Sequence, residues 1–161
     1  MNPMWIASAG VALGIIGGLV GSSIGIARAA TAGLSVLAED SGQFKWVLLL
    51  SSLPMTQTFY GFIFTLLGFS GVLPGLTGIT MGKAVGIFGI GVSVMLAEFF
   101  SAIYQGSVCM SGIVELPKTK GRIATSTMIL ASYIELFGIL GMVLGYLLLG
   151  GKASPHTRLW G

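Results

Sequence analysis

Four apolar stretches, near residues 4–37, 46–73, 78–114 and 122–150, take up most of this 161-residue chain. A helix crosses a hydrocarbon core of about 30 Å with about 20 apolar residues, and in lipid it satisfies every backbone polar group within its own segment. Each stretch exceeds that length, so the chain reads as an all-α integral membrane protein with four transmembrane helices. With 54% hydrophobic and 8% charged residues and 26 glycines, it lies outside the range of soluble domains of this size. The eight basic residues are scattered near helix ends rather than gathered into a patch, which leaves nucleic-acid binding without an electrostatic footprint. Cys109 is the only cysteine and His156 the only histidine, so neither a disulfide framework nor a soft-metal site can be built.

The charges report topology instead. Arg28, Lys45, Lys118, Lys120 and Arg122 lie near the connections between spans 1 and 2 and between spans 3 and 4, while Lys83, Lys152 and Arg158 lie toward the other side. The positive-inside rule then puts both connections in the cytoplasm and both termini outside. The opening MNPMWIASAG has no basic n-region and leads into a long span, so span 1 is expected to stay as an anchor rather than be cleaved.

Short breaker-rich connections, EDSGQFK (39–45) and ELPKTKGR (115–122), make each pair of spans a helical hairpin. GVLPGLTG (71–78) joins the two. The expected organisation is a first hairpin over 1–74, a second over 75–150, and a polar C-terminal tail over 151–161. The hairpins read as copies of one another: LPMTQTF falls on SYIELF so that Gln57 aligns with Glu135 at an offset of 78. Glycines at 10, 14 and 18 followed by Ser22, a second row at 17, 21 and 25, and Gly78, Gly82, Gly86, Gly89 and Gly91 in span 3 place small residues along helix faces. Such rows let backbones approach closely, and they predict spans 1 and 3 on a crowded inner circle of an oligomer.

The polar residues within the spans carry the chemistry. Counted from the hairpin turns, Glu135 lies about 15 residues along span 4, Gln57 about 13 along span 2 and Gln105 about 11 along span 3, depths that agree within roughly two helical turns. In SLPMTQTFY, Thr56 adjoins Gln57, and Tyr60 follows one turn later on the face of Thr56. Pro54 deprives the Leu50 carbonyl of its helical donor and is expected to bend span 2 where the polar residues begin, freeing carbonyls as ligands. A bare carboxylate at mid-membrane costs several kcal/mol, and no Lys or Arg is expected at the depth of Glu135, so it must be protonated or bound to a cation. One carboxylate among hydroxyl, amide and carbonyl oxygens suits a hard monovalent ion. The Tyr60 hydroxyl can donate to that carboxylate and hold its rotamer.

With LPMTQTFYGF, IYQG and IELFGILG, the chain resembles the sixteen-kilodalton proteolipids, the rotor-ring subunits (K or c) of V-type ATPases, and particularly their sodium-translocating bacterial members. The resemblance covers all four spans and both hairpin turns, and a carboxylate retained only in the second hairpin is itself a trait of that family. It implies a homo-oligomeric ring in a bacterial plasma membrane, with lipid, a stator subunit bearing an essential arginine, and central-stalk subunits as partners. By the same resemblance Na+ is held by the Leu53 carbonyl and by Thr56, Gln57, Gln105 and Glu135, with Tyr60 as the hydrogen-bonding lock. A ring carrying H+ is the alternative cargo. Met55 and Thr58 stand where small residues are common in the family.

Glu98 departs from the family pattern. It lies seven residues before Gln105 on nearly the same face, and is expected as a protonated acid, hydrogen-bonded within the ring or facing its lumen, rather than as a second ion site. No Walker-type loop is present, so the chain contributes ion carriage to an ATPase complex without a nucleotide site. A small secondary transporter with an inverted repeat is a rival reading, but units of two spans repeat in the same orientation.

Overall fold

The structure, a computed structural model, describes residues 2–153. Residues 154–161, most of the expected polar tail, lie outside them. Helix α1 (Pro3–Glu39) begins with the Asn2 side chain accepting from the Met4 amide and Pro3 in the first turn, where a missing N–H costs nothing. It stops at Asp40, whose backbone turns extended and whose carboxylate then takes the Gly42 amide at 3.0 Å and the Gln43 side chain at 2.8 Å. One aspartate therefore ends the first span and starts the turn into the second.

Span 2 is built in pieces: α2 (Phe44–Ser52), a tight turn at Leu53–Met55, and α3 (Thr56–Leu67), followed by a wide helical turn at Gly68–Val72. The tight turn sits at Pro54, as the missing N–H requires. Thr80 caps α4 (Met81–Val114), and a short α5 (Leu116–Thr119) leads through Lys120 and Gly121, both at positive φ, into α6 (Ile123–Ala153). Positive φ costs a glycine little and a lysine more, so the strain of this turn rests on Lys120. Because α6 continues to Ala153, the tail begins later than residue 151.

Four long apolar elements are each sufficient to cross a membrane. The 37 residues of α1 extend to about 55 Å, well beyond the hydrocarbon core, so its ends project past the lipid. Helices α1 and α4 run parallel and nearly in register. A methyl group on Gly10 would strike the Phe88 backbone, one on Gly17 the Met95 carbonyl, one on Gly21 Phe99, and one on Gly106 the backbone of Gly25. Span 2 lies antiparallel on α1, with Gly14 against Phe64 and Gly18 against the Gln57 carbonyl, while α6 lies antiparallel on α4, with Gly112 against Thr127 and Gly145 against Val94. The parallel course of α1 and α4 makes the two hairpins same-sense copies, which removes the inverted-repeat arrangement from consideration.

The glycine rows of α1 thus serve two neighbours inside one subunit: Gly14 and Gly18 admit span 2, while Gly17, Gly21 and Gly25 admit α4. On α4 the expected row differs. Gly78 precedes the helix in a left-handed turn and Gly82 and Gly89 meet nothing within the subunit, whereas Gly91 and Gly106 make the contact. Two hydroxyls reinforce the α1 seam: Thr58 donates to the Gly18 carbonyl at 3.2 Å and Thr65 to the Val11 carbonyl at 3.0 Å. The first of these bonds ties Thr58 directly to the backbone of α1.

Buried apolar residues form two clusters. One, at the end bearing the termini, includes Val11, Phe64, Ile87 and Leu149; the other, at the hairpin-turn end, includes Leu50, Cys109, Ile113 and Leu116. Between them lies a layer of buried polar side chains. Overfilling a packed contact costs about 1–3 kcal/mol, whereas alanine in an open helical position gains about 1 kcal/mol over glycine. Gly91→Ala is accordingly expected to lower the thermal unfolding midpoint in detergent by more than Gly89→Ala, since Gly89 meets nothing within the subunit. Equal midpoints for both variants would contradict the α1–α4 register described above.

Candidate functional site

The polar layer is assembled from three spans. The turn at Pro54 presents the Leu53 carbonyl, which accepts from the Thr56 hydroxyl at 3.1 Å; the same hydroxyl reaches Gln57 Oε1 at 3.2 Å. Gln57, fully buried, donates through Nε2 to Gln105 Oε1 on α4 at 2.9 Å and to Ser101 Oγ at 3.0 Å. Gln105, also fully buried, donates through Nε2 to Glu135 Oε2 on α6 at 3.2 Å and to the Ala131 carbonyl at 3.4 Å. The Tyr60 hydroxyl donates to Glu135 Oε1 at 2.8 Å. Leu53, Thr56, Gln57, Tyr60, Gln105 and Glu135, singled out from the sequence, therefore lie in one hydrogen-bonded network.

Glu135 is half-buried on α6, flanked by exposed Leu136 and Phe137 on the outer surface. Each of its oxygens takes one neutral donor, Tyr60 on one side and Gln105 on the other, and both donors draw the carboxylate inward. The ion pair among the described residues, Lys118 with Glu115, lies at a hairpin turn. Arg28 sits deeper than the sequence implied: its guanidinium donates to Ser107 Oγ at 3.0 Å, two residues beyond Gln105. Two residues turn an α-helix by about 200°, so Ser107 and Arg28 occupy the far side of α4 from Glu135. The carboxylate has no basic partner among the described residues, and the network it joins contains neutral oxygens instead: a main-chain carbonyl, a hydroxyl and two amides.

Ser101 escaped sequence reasoning. A serine in a membrane helix ordinarily bonds back to the carbonyl four residues earlier, as Ser93, Ser107, Ser111 and Ser132 do here, so its identity carries no signal. Ser101 instead donates across to the Ile134 carbonyl of α6 at 2.9 Å while accepting from Gln57. The available clue was its spacing of one turn before Gln105, on the same face.

Glu98 is neither exposed nor hydrogen-bonded within the subunit. It is 0% accessible, and both of its carboxyl oxygens lack a hydrogen-bond partner. Its side chain is turned toward α6, where a methyl on Gly138 would come within 2.9 Å of Oε2; the absent Cβ is what leaves room for it. The expectation of an acid satisfied by hydrogen bonds or facing a lumen is not met by this arrangement.

The family model of the ATP synthase C subunit matches the chain twice, over residues 9–68 and 88–148, once in each hairpin. The chain is 34% identical over 131 residues to the V-type sodium ATPase K subunit of Enterococcus hirae, with 80% of each chain covered. It is 33% identical over 139 residues to the A-type ATP synthase K subunit of Methanocaldococcus jannaschii, covering 86% of this chain and 61% of that longer relative. Four membrane-crossing helices, two same-sense hairpins and a twofold match to one family unit lead to a single assignment: the chain belongs to the family of the ATP synthase C subunit, as a rotor-ring proteolipid of V/A-type ATPases.

Proposed function

We propose that this protein carries Na+ across the membrane on Glu135, as part of a homo-oligomeric ring turned by, or turning, an ATPase head. The observation that carries the reading is the composition of the network. It has a single carboxylate without a basic partner, held by Tyr60 and Gln105, with the oxygens of Leu53, Thr56, Gln57 and Gln105 in the same connected set. A proton asks only for the carboxylate, whereas a sodium ion asks for several hard oxygens, and this chain supplies them. The name of the Enterococcus hirae relative, which belongs to a sodium ATPase, favours the same cargo.

In this reading the first hairpin, 1–74, supplies ligands and the lock, and the second, 75–150, supplies the carrier. While the site faces lipid, Glu135 keeps its ion because a bare charge there costs several kcal/mol, and Tyr60 and Gln105 hold it in the inward rotamer. At a stator subunit bearing a positive charge, the carboxylate exchanges its ion between half-channels opening to opposite sides. Moving each monovalent ion against 100 mV takes about 2.3 kcal/mol, drawn from ATP hydrolysis elsewhere in the complex. In this reading the hairpin turns lie in the cytoplasm and the termini outside a bacterial plasma membrane, an orientation supported by the excess of Lys and Arg near the turns.

Carbodiimide attacks the protonated acid, so Na+ but not K+ at matched ionic strength is expected to protect Glu135 from labelling in the isolated ring. Labelling indifferent to sodium and governed by pH alone would make the cargo H+. Glu135→Gln should assemble into rings yet abolish ATP-driven ion transport; transport that persisted would overturn the carrier assignment. A hydrogen bond to a charged group contributes about 1.5–3 kcal/mol, so Tyr60→Phe should raise the sodium concentration needed for protection by about tenfold or more. Thr56→Ala should weaken sodium protection more than it shifts the pH dependence of labelling, and equal effects on both would reduce the oxygen set to a packing role.

A further inference from the structure

We propose that Glu98 is a second proton-binding carboxyl of the subunit, holding an exchangeable proton while Glu135 holds its own ion. The part concerning Glu135 rests on the function proposed above. The part concerning Glu98 rests on its surroundings: complete burial, two carboxyl oxygens without a hydrogen-bond partner, and a position against Gly138, one helical turn beyond Glu135 on α6. A carboxylate in that position is closed off from bulk solvent and has no hydrogen-bond donor within the subunit, so it must carry a cation.

The neighbouring groups select the proton. On α6 the titratable residue nearby is Glu135, on α3 it is Tyr60, and the stretch of α1 packed at this level, Gly17–Gly21, has none. Arg28 is engaged by Ser107, nine residues and about 13 Å along α4 from Glu98. A sodium ion would need several oxygens, and Ser101, which lies against the same glycine, already donates to Ile134 and accepts from Gln57. A proton needs only the carboxyl itself. Ser101 makes no hydrogen bond to Glu98 in this arrangement, but its hydroxyl lies against the same glycine. Rotation of either side chain can bring the two together and open a route toward the polar layer, which is why the proton is expected to exchange.

The chain has five acids, and Glu39, Asp40 and Glu115 lie at the hairpin turns, so infrared spectroscopy of the intact ring can isolate the two within the spans. At neutral pH and saturating NaCl, the wild-type ring is expected to retain one protonated-carboxyl C=O band, which shifts to lower frequency in D2O. Glu135→Gln should keep this band and Glu98→Gln should lose it. Absence of the band in the sodium-saturated wild type, or its persistence in Glu98→Gln, would overturn the proposal, as would a band that never shifts in D2O, the mark of a sealed structural acid. Two bands in sodium, one of them removed by Glu98→Gln, would support Glu98 while overturning the sodium reading of Glu135.

Discussion

Everything in this subunit hangs on the backbone contact between α1 and α4. Lipid tails are as apolar as the side chains, so the hydrophobic effect gives two membrane helices little reason to associate, and close packing must supply it. Here Gly10 and Gly91, and Gly25 and Gly106, remove the side chains that would hold the axes apart. The proximity sets the distance across which span 2 and α6 reach toward each other over the inner pair. A wider α1–α4 separation would carry Gln57 away from Gln105, and the polar layer would lose its central link.

That layer is a concentrated risk in a medium without water. Each buried polar group must find a partner, and the subunit answers with a chain running from the Leu53 carbonyl through Thr56, Gln57 and Gln105 to Glu135, with Ser101 tying it to the backbone of α6. Apolar clusters above and below separate it from both membrane surfaces. Duplication makes the asymmetry of the network intelligible: Gln57 occupies in the first hairpin the place of Glu135 in the second, so a neutral amide faces the site where a second carboxylate would have repelled the first. Among the buried side chains with an unpartnered polar atom, which include Ser22, Gln43 and Ser51, Glu98 is the one that can carry a charge, and the room for it comes from a glycine on the opposing helix.

Much of this was legible in the linear chain because membrane spans obey simple constraints of length and polarity. Four crossings, the hairpin turns at Asp40 and Gly121, and the interruption at Pro54 follow from apolar run length and from residues that cannot continue a helix. The shared depth of Gln57, Gln105 and Glu135 follows from a rise of about 1.5 Å per residue. Ser101 was invisible because a serine bonding back to its own helix and one bonding across look alike in sequence. Arg28 was misjudged in depth because it sits about three turns before the end of α1, and the register of α1 on α4 brings it level with Ser107.

The sequence by itself determined that the chain lives in lipid, crosses four times as two related hairpins, and brings one carboxylate and several neutral oxygens to a common level. These properties depend on composition and spacing along single helices. Only the tertiary structure decided which face of each helix meets which neighbour. It assigned Gly14 and Gly18 to span 2 and Gly17 and Gly21 to α4, turned Ser101 outward to α6, and enclosed Glu98 against Gly138. The reason is rotational: spacing fixes a residue's depth along an axis, but the angle at which that axis presents it is set by how several helices pack at once.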